Sequence, residues 1–586
     1  MSRPVGCRAV LAGVSLVALA AGCAVTTGPA DLVLLNGKLV TMNPERPEAR
    51  ALAARDGRIV AVGDDDEIRD LVGESTRVID LEGRLAIPGF IEGHGHFDGV
   101  GRARRVLDLR SADSWEEIVE IAAGAAAEVE PGEWIVGWGW HQEKWRSPVA
   151  DGVEGYPTHA ELSRVAPDNP VLFRHAAGSH AGIVNRRAME EIGIDDDTPD
   201  PEGGRIVRDP SGRPTGFLRE AAYRLAIDTF EEALARRTPE RVEADAREEI
   251  ELAEEECLRK GITTFQDAGS GFETIDRFRA MAEAGELGIR LWVMIEEEIE
   301  LLEERIADYR MVSAGDGHLT VRAIKAEIDG ALGSHTAWLL EPYSDRPEST
   351  GLNTTPTEQL ERVAEIAMKN GFQLCVHAIG DRGNRETLDL FQRAFERHPG
   401  EHDLRWRVEH AQHLDPQEIP RFSELGVIAS VQGVHSTSDG PWVPERLGAA
   451  RSAEGAYVWR KLIDSGAVVI NGTDAPVEDV SPIANFHASV TREMADGAAF
   501  HPDQRMTRME ALRSYTLDAA YAAFEEEIKG SLVPGKLADV TVLSRDILTV
   551  PDDEIPGTEV LYTIVGGHVL YEKLAPERSS GDNATR

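Results

Sequence analysis

The sequence predicts an α/β fold: a (β/α)8 TIM barrel with a β-sandwich domain built from both chain ends and a large insertion after the first barrel strand. Three observations support this fold. The middle of the chain alternates strand-like and helix-like segments, which is typical of parallel βα units. Both ends are instead rich in short strands and turns, and a long segment separates the first two barrel strands. Eight barrel strands are predicted, the number that closes a TIM barrel, at residues 84–91, 262–266, 289–295, 320–328, 372–376, 406–409, 427–431 and 468–470.

These patterns also predict the domain organisation. Asn36-Gly37 stands between two apolar runs, and this dipeptide favours a β-hairpin. An insertion as long as the one predicted here usually forms a lid or a substrate-binding subdomain. The predicted segments are a leader at 1–23, the first part of the sandwich at 31–82, the barrel at 83–530 with its insertion at 98–245, the second part of the sandwich at 531–575, and a flexible tail at 576–586.

The composition permits a large core and argues against nucleic-acid binding. Of 586 residues, 42% are hydrophobic and 28% are charged, as expected for a folded chain of this length. The 103 acidic residues outnumber the 62 basic ones, giving a formal net charge of −41 that would repel phosphates. Two of the four cysteines, Cys257 and Cys375, lie outside the leader, and we expect two buried free thiols. No zinc-ribbon spacing is present, so any metal must be bound by His, Asp and Lys.

Several metal-binding side chains lie near the ends of the predicted barrel strands. In an extended strand, His94 and His96 point to the same side, so both can bind one metal ion. Imidazole and carboxylate groups are the ligands that a catalytic zinc site uses, with one position left open for water. The sequence therefore predicts a metal-dependent active site at the top of a barrel. The candidate ligands are His94, His96, Lys325, His377, His410 and Asp474.

The first 23 residues form a short basic region followed by a small apolar stretch. Arg3 and Arg8 precede residues 9–22, which are too few to span a bilayer as a helix. The stretch ends at Cys23 and resembles a bacterial lipoprotein signal, although an ordinary cleaved signal is an alternative. The resemblance implies a lipid anchor on Cys23. It also implies an exported protein of the bacterial cell envelope, either periplasmic or at the cell surface.

Seven motifs follow one another along the chain, at residues 88–96, 261–269, 377–381, 409–412, 472–477, 530–532 and 535–539. In this order they resemble the amidohydrolase superfamily. The tryptophan-rich insertion and the segment Asp329-Gly330-Ala331-Leu332-Gly333-Ser334 make the chain similar to the family 3 amidohydrolases, the branch that includes N-substituted formamide deformylase. The resemblance covers residues 31–575.

The resemblance implies a role for each candidate ligand. His94 and His96 would bind the more buried metal ion, and His377 and His410 would bind the second. Asp474 would bind metal and carry a proton. Lys325 would react with carbon dioxide to form a carbamate that bridges both ions. The expected metal is a pair of zinc ions, and a single ion, iron or manganese is the alternative.

Glu327 provides an alternative bridging group. Lys325, Glu327 and Asp329 alternate along one strand and should share a face, so Glu327 could bridge the metal ions instead or pair with an unmodified lysine. The candidates for contacting substrate are His180, Asp381, His435 and Trp138. A structural hydrogen bond is the alternative role for His180, and packing is the alternative for Trp138.

The predicted reaction is hydrolysis of a non-peptide carbon–nitrogen bond of a small molecule by a metal-activated hydroxide. A metal ion lowers the pKa of a bound water to near 7, and Asp474 would pass a proton from that water to the leaving amine. Two alternatives stay open at this point: a lactone or ester hydrolase that uses the same site, and an inactive surface-anchored binding protein. The sequence predicts no oligomeric state.

Overall fold

The computed structural model describes residues 28–142, 145–147, 149, 152–175, 181–400 and 403–573. The predicted leader with Cys23, His180, and the tail at 576–586 lie outside the described residues. Cys257 and Cys375 are both buried free thiols, which confirms that prediction. Within the described part of the chain, no helix is both long and apolar enough to cross a membrane.

Eight parallel strands form a nearly closed barrel, which confirms the predicted fold class. We number them from first to eighth in chain order, and each is hydrogen-bonded to the next. A short strand, Met311–Ser313, pairs antiparallel with the fourth. The eight strands are Phe90–Gly95, Ile262–Ser270, Arg290–Ile295, Leu319–Glu327, Gln373–Ala378, Arg407–His410, Ile428–Gln432 and Val469–Gly472.

The first and eighth strands meet at the functional end of the barrel. The Asp474 amide donates to the His94 carbonyl at 2.8 Å, and the His96 amide donates to the Ala475 carbonyl at 2.7 Å. Gly472 permits this approach, because a Cβ at that position would lie 2.4 Å from the His94 nitrogen. The two ends of the barrel sequence are thereby joined beside the candidate ligands.

Helices surround the barrel, and the longer ones bury one face. In Thr357–Asn370, the inward positions include Leu360, Val363 and Ala367, at the three- and four-residue spacing of a helix face. This helix ends at Gly371, whose φ of +69° suits a left-handed C-terminal residue. The helices of this layer are Phe97–Arg104, Pro239–Arg259, Phe272–Ala284, Ile299–Arg305, Ala314–Gly317, Thr357–Asn370, Asp381–Arg397, Ile419–Leu425, Gly433–Asp439, Val443–Leu447, Ala449–Gly455, Trp459–Asp464, Pro482–Thr491, Arg508–Ser514 and Leu517–Ala522, with 3-10 turns at Ile306–Asp308 and Pro502–Gln504.

Both chain ends contribute to a pair of β-sheets beside the barrel. A four-stranded sheet has the order Arg58–Gly63, Ala51–Arg55, Leu32–Leu35, Arg77–Asp80, and its edge strand forms an isolated bridge from Arg58 to Leu537. A six-stranded sheet mixes the two ends in the order His568–Glu572, Val560–Val565, Val540–Leu543, Leu85–Pro88, Lys38–Val40, Glu48–Ala49. The helix Asp65–Arg69 and the 3-10 helix Asp552–Gly557 complete these regions.

Two local predictions in this region are wrong. Residues 84–91 do not form one barrel strand, because Leu85–Pro88 pairs with Val540–Leu543 in the six-stranded sheet and the first barrel strand begins at Phe90. The barrel boundary predicted at residue 83 is therefore too early. Asn36-Gly37 does not close a hairpin either. The strands before and after it belong to different sheets, and Asn36, with a φ of +55°, turns the chain from one sheet to the other.

The insertion has a six-stranded sheet of its own. Its core includes Trp115, Trp140 and Phe173 and is separate from the barrel core. Its strands, in sheet order, are Gly204–Arg208, Pro214–Glu220, Ala181–Val184, Val171–His175, Ile135–Trp140 and Leu107–Asp108. Its helices are Trp115–Glu128, Ala160–Val165, Arg186–Ile192 and Ala221–Ala235.

Candidate metal centre

Four histidines and one aspartate converge at the carboxyl ends of the barrel strands. The His410 ring lies 4.7 Å from the His94 ring and 4.5 Å from the His377 ring, between centroids. Asp474 Oδ1 lies 3.7 Å from His94 Nε2 and 3.4 Å from His96 Nε2. The structure thus brings together ligands that are up to 380 positions apart in the chain, as the sequence predicts.

Hydrogen bonds at the far side of two rings fix which nitrogen is available to a metal. His94 Nδ1 lies 2.5 Å from Glu409 Oε2, and both side chains are fully buried. His410 Nδ1 lies 2.8 Å from Gln432 Oε1. Because carboxylate and amide oxygens only accept, each Nδ1 carries the proton and each Nε2 keeps its lone pair. This arrangement is the usual one for a metal-binding histidine, and His94 Nε2 is buried without a hydrogen-bond partner.

Electrostatics keep His377, His410 and Asp474 in the form that binds a cation. Burial, followed by the charge of Lys325, lowers the pKa of His377 to about 3, and burial holds the pKa of His410 well below its usual range. Burial by itself raises the pKa of Asp474, but the hydrogen bond from His96 and the nearby histidines reverse that effect and hold it well below its usual value. The neutral imidazoles of His377 and His410 beside the ionised carboxylate of Asp474 form a donor set that fits a divalent metal ion. Burial lowers the pKa of His96, but its hydrogen bond to Asp474 outweighs this effect and raises the pKa.

Two ligand positions have unfavourable backbone conformations. His410 has a φ of +75° and Asp474 a φ of +59°, in the left-handed region that side chains other than glycine rarely adopt. Such conformations cost about 1–3 kcal/mol each and occur mostly at functional sites. The surrounding hydrogen bonds hold both residues in place.

Lys325 lies among the histidines, whereas Glu327 lies at the rim. Lys325 is 5% exposed, and its Nζ donates to the Ala268 carbonyl at 3.2 Å. Its charge lowers the pKa of each of the four histidines, His94, His96, His377 and His410. Glu327 is exposed at the last position of its strand. Asp329 lies beyond the strand end, so the alternation that predicted a shared face does not extend to it.

Asp329 connects two loops and also lies beside a predicted ligand, with Oδ1 3.7 Å from His377 Nε2. Its carboxylate accepts backbone N–H bonds from Trp338, Ile379 and Gly380 at 2.8–2.9 Å. Burial raises its pKa to about 7. The role of this residue is to hold the loop after the fourth strand against the end of the fifth.

The structure places the predicted substrate-contact residues in different surroundings. His435 is buried beside Asp474, with Nε2 3.9 Å from Oδ2. Trp138 is 43% exposed, and Arg110 lies 4.7 Å over its ring. Hydrogen bonding to Asp108 and the charges of Asp479 and Glu478 raise the pKa of Arg110.

Asp381 is not brought into the group of ligands. It begins the helix Asp381–Arg397, and its carboxylate accepts the Leu340 N–H at 2.8 Å. It lines a separate cavity of about 210 Å³ with His413 and Arg451, and none of the predicted metal ligands lines that cavity.

Sequence reasoning did not find three buried acids around the site. Glu409 bonds to His94, Glu92 accepts the Thr473 N–H, and Asp267 accepts the Phe97 N–H at 2.9 Å. Burial raises the pKa of Glu92 to about 8 and that of Asp267 to about 6. Strand alternation provided a signal for Glu92, which lies two positions before His94 and on the same face.

The amino-acid sequence is similar to those of known proteins along most of its length. The model of the amidohydrolase family matches residues 77–571. The protein LONG AFTER FAR-RED 3 of Arabidopsis thaliana is 32% identical over 555 residues, covering 92% of each chain. The N-substituted formamide deformylase of Arthrobacter pascens is 28% identical over 549 residues, covering 93% of this chain and 98% of that enzyme.

A solved structure extends the comparison to three dimensions. A metal-dependent hydrolase from Pyrococcus furiosus superposes with a TM-score of 0.68 at 26% identity, covering 88% of this chain and all of the other. The family match spans most of the chain, and the candidate metal ligands lie together at one end of the barrel. The chain therefore belongs to the amidohydrolase family and is a metal-dependent hydrolase of carbon–nitrogen bonds other than peptide bonds.

Proposed function

We propose that the chain hydrolyses an amide-type bond of a small molecule with the help of two zinc ions held at the top of the barrel. The observation that carries the proposal is the pair of bonds from His94 to Glu409 and from His410 to Gln432. These bonds direct one unprotonated nitrogen of each ring into the site. A divalent ion bound there lowers the pKa of a coordinated water and polarises a carbonyl oxygen.

Asp474 would carry the proton in this reaction. Its carboxylate is ionised, lies within 3.4 Å of His96 Nε2, and is 7% exposed. It accepts a proton from the attacking water as the water oxygen bonds to the carbonyl carbon. The same carboxylate then donates that proton to the amine nitrogen as the carbon–nitrogen bond breaks, so the group returns to its starting state.

Lys325 would bridge the two ions after reaction with carbon dioxide. As an ammonium whose charge acts on four histidines, it opposes a bound cation and has no lone pair to donate. Its neutral amine adds to carbon dioxide and releases one proton, which gives a carbamate with one negative charge. Glu327 is less suited to this role, because its exposed carboxylate lies at the rim of the barrel.

Metal analysis of two variants distinguishes these bridging groups. We expect Lys325→Ala to lose metal and activity together, with partial restoration of both by a short carboxylic acid that occupies the vacated space. Glu327→Gln should be much milder. Two ions per chain retained in Lys325→Ala would contradict the carbamate bridge.

A panel of substrates tests the reaction itself. Purified protein loaded with zinc is assayed on N-substituted formamides, other amides, esters and lactones, and its metal content is measured by elemental analysis. The choice of formamides follows from the relative in Arthrobacter pascens. Turnover of esters or lactones without amides would support the alternative hydrolase, and bound metal without turnover of any compound would support a binding protein.

We further propose that Cys23 is lipidated and anchors the protein to a membrane of the bacterial cell envelope. The support is the basic and apolar leader that ends at this cysteine. A lipid-modified cysteine gives stable membrane attachment. We expect Cys23→Ala to leave the membrane fraction of a bacterial host, and an unchanged membrane-associated fraction would contradict the anchor.

A further inference from the structure

His413 is a buried histidine whose two ring nitrogens have no hydrogen-bond partner in the described part of the chain. It is 2% exposed, and both Nδ1 and Nε2 are buried. Its backbone is held on both sides, since its N–H donates to the Ile379 carbonyl at 3.0 Å and its carbonyl accepts from the Asn384 side chain at 3.2 Å. The residue is therefore fixed in the fold, while its ring lacks the partner that a buried polar group normally has.

A cavity of about 210 Å³ lies beside His413, separate from the metal centre. Acidic residues outnumber basic ones in its lining. Arg385 pairs with Asp415 at 2.9 Å and neutralises one of the acidic groups, but three remain against a single arginine. This excess of negative charge favours a cation as the occupant. The charged residues that line the cavity are Glu341, Asp381, Asp415, Glu454 and Arg451.

The arginine in this lining is already bonded to backbone carbonyls. Arg451 donates from Nε to Leu447 at 2.6 Å, from Nη1 to Glu341 at 3.0 Å and from Nη2 to Pro342 at 2.7 Å. Burial lowers the pKa of His413 to about 3, so its ring is neutral. An anion in the cavity would therefore face acidic residues and no imidazolium.

Asp381 provides an acceptor on the same cavity. Its Oδ1 accepts the N–H groups of Leu340 at 2.8 Å and Arg382 at 2.9 Å, whereas no described residue donates a hydrogen bond to Oδ2. Burial raises the pKa of this carboxyl group. A cation beside Oδ2 would stabilise the ionised form and so offset the effect of burial.

We propose that this cavity binds a small primary ammonium ion, which donates one N–H to His413 and one to Asp381 Oδ2. Such an ion carries three N–H donors, and its nitrogen lies about 2.9 Å from each acceptor. Zinc holds a histidine nitrogen at about 2.0–2.1 Å and needs its ligands closer together. Among the described residues, His413 belongs to neither group of potential metal ligands within 4.8 Å of one another, so its surroundings do not suit a bare metal ion. The ring nitrogen that keeps its proton bonds to water in the cavity.

The cavity lies between segments that follow two barrel strands. Asp381 comes after the fifth strand, Gln373–Ala378, and His413 comes after the sixth, Arg407–His410. A bound ammonium ion links these two segments. Its binding does not require the proposed reaction, because none of the predicted metal ligands lines the cavity.

Methylammonium is the probe for this site. Its binding to the full, metal-loaded chain is measured by saturation-transfer NMR of the methyl protons, at pH 7 and constant ionic strength. We expect tetramethylammonium, which has the same charge but no N–H donor, to bind at least about tenfold more weakly, because charge-assisted hydrogen bonds are lost. Equal affinity for the two ions would mean that the cavity selects only charge, and the inference would be wrong.

Ammonium chloride identifies the source of the ammonium group. Displacement of methylammonium at a similar concentration would support the free ammonium ion as the occupant. Displacement only at a much higher concentration would support an organic amine, whose alkyl group then contributes to binding.

Two substitutions remove the proposed acceptors separately. Asp381→Asn keeps an oxygen for the Leu340 N–H but loses the charge, and His413→Phe keeps an aromatic ring but loses both nitrogens. We expect each variant to bind methylammonium at least about tenfold more weakly than the wild type. Asp389→Asn is the control, because Asp389 lies on the same helix as Asp381 but pairs with Arg421 at 2.7 Å outside the cavity. Wild-type affinity in Asp381→Asn would contradict the inference, even if His413→Phe does not fold.

Discussion

The two ends of the barrel both bury charged side chains, but they differ in what those side chains contact. Buried polar atoms without a hydrogen-bond partner occur at both ends, and at the amino-terminal end they include Arg407 Nε and Gln373 Oε1. At the amino-terminal ends of the strands, Arg290 forms two hydrogen bonds with Asp539 at 2.8 and 3.1 Å, and Arg407 donates to Gln266 at 2.6 Å. At the carboxyl ends, the polar atoms His94 Nε2 and His435 Nε2 are buried without a hydrogen-bond partner.

The unpartnered atoms at the carboxyl end lower the stability of the fold but are available to bind a ligand. A buried polar atom without a partner costs about 1–3 kcal/mol, so the carboxyl end is less stable than a fully paired arrangement would be. The cost is understandable where a metal ion supplies the missing partner. Hydrogen bonds at the amino-terminal end instead fix the barrel to Ala519 and Glu525 and, through Asp539, to the six-stranded sheet.

The largest expected effect is on catalysis at the carboxyl end. Asp474→Asn should lower turnover by about 10²–10⁴-fold, because an amide cannot carry a proton. Most of the bound metal should be retained, since the amide oxygen still coordinates weakly. Steady-state kinetics on a verified substrate, with metal analysis of the same sample, measures both quantities. Turnover equal to that of the wild type would remove Asp474 from the mechanism.

The next largest effect is on stability at the amino-terminal end. Arg290→Leu leaves Asp539 buried without its cation, and breaking a buried pair costs about 3–5 kcal/mol of unfolding free energy. The value of kcat/KM at a temperature where the variant is folded should be unchanged. Chemical denaturation provides the measurement.

A surface pair provides the control for Arg290. Arg205 and Glu154 are both partly exposed, and such pairs contribute about 0–1 kcal/mol. Arg205→Leu should therefore change the unfolding free energy far less. If Arg290→Leu lowers kcat/KM but not stability, the assignment of roles to the two ends is wrong.

The sequence allowed much of the carboxyl end to be predicted but little of the amino-terminal end. His94, His96, His377, His410 and Asp474 were found because their residue types suit a metal and each follows an apolar strand. Arg290 and Asp539 gave no comparable signal, because a pair separated by 249 positions is recognisable only once the fold brings it together.

Local sequence patterns gave wrong predictions where the pairing between distant strands determines the structure. Asn36-Gly37 matches a hairpin, yet its flanking strands find partners in different sheets, with Leu32–Leu35 beside Ala51–Arg55 and Lys38–Val40 beside Leu85–Pro88. The apolar run at 84–91 looked like one strand, and only the pairing partners show that it divides at Gly89. Glu409 was missed because its role depends on His94, which is far away in the sequence.

A substitution of Glu409 should have a smaller effect at the carboxyl end, because it removes a charge and keeps the hydrogen bond to His94. In Glu409→Gln, the new amide oxygen still accepts from His94 Nδ1, so the tautomer is kept while the negative charge is lost. Changes to groups that support a metal ligand typically reduce metal affinity about 10–100-fold. Zinc titration against a competing chelator measures this affinity.

Glu418 is the control for Glu409. It is also a buried carboxylate, paired with Arg385 and Arg421 away from the ligands. Glu418→Gln should leave zinc affinity at the wild-type value, whatever its effect on stability. Equal zinc affinity in Glu409→Gln and the wild type would show that the carboxylate does not support His94 as a ligand.

The smallest expected effect is a change in how stability depends on pH. Burial raises the pKa of Glu92 to about 8, above its usual value of 4.5. The folded chain therefore holds a proton that the unfolded chain releases, so this contribution to stability is present below pH 4.5 and is lost as pH rises towards 8. Between pH 6 and 7 the loss is at most about 1.4 kcal/mol.

Glu92→Gln should remove this loss, because glutamine does not titrate. The quantity to compare is the change in unfolding free energy between pH 6 and 7, measured with chelator present so that no metal alters the titration. The variant should lose less stability than the wild type over this interval. Glu232→Gln, which alters an exposed carboxylate, should follow the wild type. The same dependence on pH in Glu92→Gln and the wild type would mean that Glu92 is ionised in the folded chain. The carboxyl end of the barrel would then hold one more negative charge with which to bind metal ions.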